Sequence, residues 1–364
     1  MNIWDLAREK LKESEAKAAD LDEKLDTNTT AKTATSQIRL RKESVALICG
    51  SRQCGKTTFL HKYLERNEEP KATIGLDYLF GRRTRGKVKD LCNIYELGGG
   101  IKLTNLLSIP LNSDNIEITS LILILDLTKP YDMWDTLDGI VSSVKKEIAR
   151  IHQFLSQNNP TALQRLSEVQ SDRLKAYGEQ LRLCSPLGIP FMIIGSKYDE
   201  FQNLESEQRR HICQFLRFVS FYYGGSLMFY SSRMESLIKT GRAMFSHYAL
   251  ETTLPKTIVS DHNKPLVIPV GMDSFQDIGA PPMVENSFAR ASQPIELWRE
   301  AFNSLFPPKE TNGAGEDPTF DPVFKEPVID KLIEQKLKDL EMYQKQKKDR
   351  LIAEEKAKTR IVSM

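Results

Sequence analysis

Apolar residues gather along this chain in short continuous runs, separated by stretches with helical periodicity. "VALICG" from Val45, "LCNIYELG" from Leu91, "LILILDL" from Leu121, "FMIIGSK" from Phe191 and "SLMFYSS" from Ser226 are apolar without strict alternation. Strands buried on both faces of a sheet have that pattern. Helical spacing follows Thr57 and recurs over Tyr131–Gln157, Glu207–Tyr222 and Met234–Tyr248. Strand and helix in turn predict an α/β fold: a mostly parallel sheet with right-handed crossovers, covered by helices on both faces. Pro160 interrupts the longest helical region, and "TALQRLSEVQSDRLKAYGEQLRL" supplies a second helix. Together they make an insertion at about 158–184, between the fourth and fifth strands.

The flanks have a different character. Residues 1–43 read as a short amphipathic helix, with Ile3, Leu6, Ala7 and Leu11 beside Trp4, and then a polar linker. Such a helix packs on its own domain or docks on a partner, and both readings stand. After a domain spanning 44–250, residues 251–309 form an extension. It holds a short strand-like run, turn-rich chain and an amphipathic helix, "PIELWREAFNSLF". The expected buried side of that helix is Ile295, Leu297, Trp298, Phe302 and Leu305, set against the domain or against a partner. A linker at 310–329 leads to a mixed-charge helix over 330–364, whose apolar stripe (Ile333, Leu337, Leu340, Leu351) is broken. That helix is solvated or folds on a partner. There is no internal repeat.

Composition narrows the function classes. A chain of 364 residues, 40% hydrophobic and 27% charged, has material for a sizeable core. Lysine and arginine number 51 against 49 acidic residues, a net charge of +2. No overall field draws such a chain to nucleic acid or anionic lipid, so neither is an expected partner. The longest apolar run, "SLILILDL", is too short to span a bilayer, and the N-terminus lacks a signal-peptide pattern. Five scattered cysteines without a C-x-x-C pair point to a reducing compartment. The expectation is a soluble intracellular protein without membrane insertion.

The first chemical signal is "GSRQCGKT", Gly50–Thr57, a complete G-x-x-x-x-G-K-T phosphate-binding loop between a strand and a helix. Gly50 and Gly55 let backbone amides converge on phosphate oxygens. Lys56 adds a positive charge, and the Thr57 hydroxyl is offered to magnesium at the start of a helix dipole. Arg52, Gln53, Cys54 and Thr58 complete the candidate phosphate contacts, with Cys54 read either as an oxidisable thiol or, by preference, as a small residue that fits the turn. Further on, "GSKYD" resembles the base-reading N-K-x-D motif. Asp199 would accept from the guanine edge and the stem of Lys197 would lie on the base, while Ser196 replaces the expected Asn. Ser231 and Ser232 of "YSSR" match the last base-contacting loop loosely. Thr73 stands where a magnesium-binding threonine is expected.

"YELGGG", Tyr95–Gly100, bears on turnover. Glu96 takes the position of an Asp, and Gly100 that of the glutamine which positions the attacking water. A glycine cannot orient water, and Arg52 would crowd or screen the terminal phosphate. The expectation is a protein that binds GTP or GDP with Mg2+, has no catalytic residues, and hydrolyses slowly or not at all. Two other classes stand beside it. One is an active GTPase switch. The other is a small-molecule kinase with "GRRTRGK" (Gly81–Lys87) as its lid, although that cluster also reads as a solvated turn or a partner-contact patch at the end of a hairpin.

A series of segments carries a further resemblance: "CGKTTFLHKYL", "GLDYLFGRRTRG", "YELGGG", "LILILDLTKPYDMW", "IIGSKYDEFQNLESEQRR", "LRFVSFYYGGSLMFYS", "NKPLVIPVGMDSFQDIGAPP" and "PIELWREAFNSLFPPK". In this order, from about residue 44 to 309, they resemble the light intermediate chains of cytoplasmic dynein, and the dynein 2 branch most. The segments beyond Pro318 and the N-terminal helix match only in general character. The resemblance implies a Ras-like P-loop domain acting as a non-catalytic accessory subunit. Its implied partners are the dynein 2 heavy chain, whose tail it binds and stabilises, the other dynein 2 subunits and, indirectly, the intraflagellar transport machinery. It also implies retrograde intraflagellar transport, cilium assembly and a place in cytoplasm, cytoskeleton, cilium and ciliary base.

Overall fold

The computed structural model describes residues 43–85, 88–255, 257–282, 293–308 and 326–362. The expected N-terminal helix and most of the expected linker lie outside these residues. β1 (Glu43–Gly50) runs up the middle of a seven-stranded sheet and delivers the chain to α1 (Lys56–Tyr63) through the glycine-bounded turn. β2 (Leu76–Arg85) and β3 (Val88–Leu97) form an antiparallel hairpin. β4 (Thr119–Asp126), β5 (Phe191–Ser196) and β6 (Ser226–Phe229) continue the sheet, and β7 (Val267–Ile268) ends it. The order is β2-β3-β1-β4-β5-β6-β7, parallel from β3 through β6 with antiparallel pairing at each end. β1 lies between β3 and β4, so successive crossovers leave it in opposite directions. A crevice opens at such a point, beyond the carboxyl ends of the strands.

Alternate residues of each central strand feed two cores. Val45, Leu47 and Cys49 of β1, with Leu121, Leu123 and Leu125 of β4, face α2 (Pro130–Asn158) and α5 (Ser206–Tyr222). Ala46, Ile48, Ile122 and Ile124 face the other way, onto Phe59 and Leu60 of α1 and onto Met244 and Phe245 of α6 (Glu235–Leu250). That double burial is why these strands read as continuous apolar runs.

The insertion differs from its expected form in one respect. Asn159 ends α2 and also caps α3 (Pro160–Leu174), its side chain accepting from the Ala162 amide at 3.2 Å, with Pro160 in the first turn where a missing N–H costs nothing. The α-helix stops at Leu174, however, and Lys175–Leu183 is tighter 3-10 helix interrupted at Gly178 (φ 53°). The expected helix is therefore two elements.

After the short α4 (Tyr198–Phe201), α5, β6 and α6, the extension folds back on the α5 side. Arg217 of α5 holds Asp273 in a two-pronged ion pair, Nε to Oδ2 at 2.9 Å and Nη2 to Oδ1 at 2.7 Å, just ahead of α7 (Phe275–Ile278). α8 (Pro294–Leu305) then stacks Trp298 on Phe218 (4.7 Å between ring centres) and Phe302 on Phe215 (3.9 Å). Leu305 departs from expectation. It is exposed, and Phe306, set against Phe302 at 5.0 Å, packs on the core beyond the helix end. α9 (Pro327–Val362) begins inside the span expected as linker, and Ile333, Leu337 and Leu340 are exposed on it.

Candidate nucleotide-binding site

The turn from β1 to α1 lies at the crevice beside β1. Gly50 has φ 151°, and a Cβ there would meet the Ile124 carbonyl oxygen at 2.2 Å, so only glycine lets β1 pass this close to β4 before turning. Gly55 sits in the left-handed region immediately before α1. Lys56 is buried and donates from Nζ to the Gly50 and Ser51 carbonyl oxygens at 3.2 and 2.8 Å, which holds the ammonium across the mouth of the turn. Arg52 and Gln53 are exposed at its tip. Cys54 points inward, and burial pushes its thiol up, which suits a space-filling residue and not a reactive one. Thr58 follows Thr57 in the first turn of α1.

Three oxygens converge in front of that turn. The Thr57 hydroxyl donates to Glu96 Oε1 at 2.7 Å, and the Thr73 hydroxyl lies 3.4 Å from it. The chain between α1 and β2 thus brings Thr73 beside Thr57. Glu96 is buried at the end of β3, and burial raises its carboxyl above the ordinary range, partly offset by the two threonine hydroxyls and Lys56. Its second oxygen, Oε2, is buried without a hydrogen-bond partner. Two magnesium ligands at about 2.1 Å and at right angles lie about 3 Å apart. The observed separations bracket that figure, the donors are all oxygen, and the orphaned Oε2 is a further one. The set fits Mg2+. Gly100 packs against the same turn: a Cβ there would lie 3.7 Å from Ser51 Cα and 3.8 Å from the Arg52 amide nitrogen. Gly100 has no side chain with which to position a water.

The base-side candidates form a second cluster. Ser196, at the end of β5, donates to the carbonyls of Cys54 (2.6 Å) and Leu125 (3.1 Å), so it ties the phosphate loop to β4 and β5. Lys197 adopts a left-handed conformation (φ 59°) and binds Asp126 Oδ2 at 2.5 Å, while Asp126 Oδ1 takes the Thr128 amide and hydroxyl. Asp199 accepts from the buried Ser231 hydroxyl at 2.7 Å and from Arg233 at 2.9 Å. Ser232 is half-buried beside them. Ser51 of the turn lies near Asp126 at the end of β4 and near Lys129, Asp132 and Thr136 at the start of α2.

Residue reading did not place Asp126 or Arg233 in the site. A charged residue closing the apolar run "LILILD" was the available signal for the first, and the last residue of "YSSR" for the second.

Comparison with known proteins gives a consistent result. A family model described as dynein light intermediate chain (DLIC) matches residues 28–176 and 155–289. The chain is 39% identical over 309 residues to cytoplasmic dynein 2 light intermediate chain 1 of Homo sapiens, covering 83% of this chain and 88% of that one. It is 35% identical over 352 residues to the protein of the same name from Danio rerio, covering 94% of each. Among solved structures, the conserved domain of a dynein light intermediate chain aligns with 72% of this chain and 98% of its own, at 16% identity and a TM-score of 0.53. That likeness concerns the fold alone, a Ras-like P-loop architecture.

Proposed function

The chain belongs to the dynein light intermediate chain family, and from that premise we propose that it is a non-catalytic accessory subunit of cytoplasmic dynein 2, with a guanine nucleotide as a fixed part of its core. The observation that carries this is the 35–39% identity to dynein 2 light intermediate chains, spread over 83–94% of the chain and so far beyond the phosphate loop. In this role it binds and stabilises the heavy-chain tail and works with the other dynein 2 subunits in retrograde intraflagellar transport and cilium assembly. Its places are cytoplasm, cytoskeleton, cilium and ciliary base. Residues 44–250 are the nucleotide unit, and 251–309 an extension packed on it.

The Gly50–Thr58 turn and Lys56 would hold the phosphates of GTP or GDP. Thr57, Thr73 and Glu96 would hold Mg2+, which neutralises phosphate charge. Lys197, Asp199, Ser231 and Ser232 would face the base, with Ser196 bracing the loop. Loss of a water-positioning group costs several orders of magnitude in rate, and Gly100 supplies none. Slow or absent hydrolysis is the consequence.

Denaturing the purified protein and identifying the released nucleotide tests the site. Wild type is expected to release guanine nucleotide in near-equal amount, and Lys56→Ala almost none. Single-turnover hydrolysis of labelled GTP, with and without the heavy-chain tail, tests the passive role. A rate well above background in either condition replaces it with an active switch.

A further inference from the structure

β2 closes one end of the sheet, and its outer edge pairs with no other strand among the described residues. All ten residues stay in register with β3, from Leu76 opposite Leu97 to Arg85 opposite Val88, with no proline and no bulge. Proteins ordinarily blunt an edge of this length, because its outward amides and carbonyls are a template for another strand. Leu79 and Gly81 face the α1 side, where an added Gly81 Cβ would meet Leu64 at 3.6 Å. The alternate residues Tyr78, Phe80 and Arg82 stand on the opposite face. Tyr78 is 50% and Phe80 42% exposed, and the Arg82 guanidinium lies 5.1 Å from the Phe80 ring centre. Tyr78 is held upright by its hydroxyl on Asn93 Oδ1 at 2.9 Å.

Charge identifies the occupant. β2 carries Arg82, Arg83 and Arg85 against Asp77, a net charge of +2 on ten residues, of which Arg83 stands opposite Asp90 of β3. We infer that the β2 edge is a docking strand for an extended acidic segment of another motor subunit, which adds to the sheet as an eighth strand. Its backbone pairs with β2, its carboxylates meet the arginine end, and its apolar side chains cover Tyr78 and Phe80. A second copy of the chain would oppose two strands of like charge. Nucleic acid has a uniformly anionic backbone, a poor match to alternating amide donors and carbonyl acceptors. The edge also starts beside the candidate site: Gly75, next to Leu76, accepts from the Gly98 amide at 2.6 Å.

This inference rests on the accessory-subunit reading. Hydrogen exchange of the full chain, alone and in the assembled motor complex, tests it. Amides of residues 76–85 are expected to exchange at least tenfold more slowly in the complex. Arg82→Glu with Arg83→Glu should weaken assembly at least tenfold and reduce its salt dependence. Tyr78→Ala with Phe80→Ala should weaken assembly at least tenfold, measured well below the variant's own melting temperature, since about half of each ring is open to a partner. Assembly with residues 76–85 exchanging as in the free chain overturns the docking surface and leaves the subunit reading intact. So does protection of these residues by self-association or by poly(U) RNA and not by the motor. A wild-type chain that does not assemble overturns both.

Discussion

Glu96 carries two opposed demands at one carboxyl group. Burial favours its protonated form, whereas the donors around it and a bound Mg2+ favour its charge. Its folded value lies above the ordinary 4.5, so the stability it contributes is complete below that pH and is lost as pH rises through the raised value. Glu96→Gln should therefore melt higher than wild type near pH 7 in the presence of EDTA, with the difference vanishing near pH 4. The same variant should lose the stabilisation that added MgCl2 and GDP give the wild type. Equal melting temperatures at pH 7 would contradict the assigned direction. Much of this cluster was legible from spacing, because the phosphate loop is contiguous and its partners fall at strand ends. The sequence suggested Lys197 as a base-facing residue and gave no sign of its bond to Asp126. That contact joins positions 71 residues apart, and only the parallel pairing of β4 with β5 brings them together.

Among the elements, α5 and α8 show where side-chain pattern succeeds and where it stops. The apolar spacing in "PIELWREAFNSLF" located the buried side of α8 through Trp298 and Phe302, then overran it at Leu305, because the helix ends there and Phe306 turns in instead. Both rings stack on α5, so Trp298 acts as core. Trp298→Ala should cost about 3–5 kcal/mol, read by chemical denaturation, by removing a large buried side chain. If that variant keeps full stability and only loses its motor partner, Trp298 is an interface residue. The Arg217–Asp273 pair had no sequence signature at all. Arg217→Ala leaves a buried carboxylate without its partner and should cost about 3 kcal/mol. Limited proteolysis should then cut first between residues 269 and 282, where the extension loses its anchor.

At the scale of the whole molecule, the buried sheet contrasts with the exposed α9. The α/β core with its double burial was readable because each central strand is apolar on both faces. The sequence left α9 either solvated or folding on a partner, and its broken stripe is consistent with either. Its described side chains are exposed, so a chain ending at residue 308 should melt within about 1 °C of the full protein. A drop of several degrees would mean that α9 packs on the core. α2 starts near Ser51 and runs 29 residues to the Asn159 corner. At 1.5 Å per residue that is a rod of about 43 Å. A tilt of about 5° at its root would carry the corner about 4 Å sideways. The length of α2 means that any change of angle at its root would be magnified at the Asn159 corner.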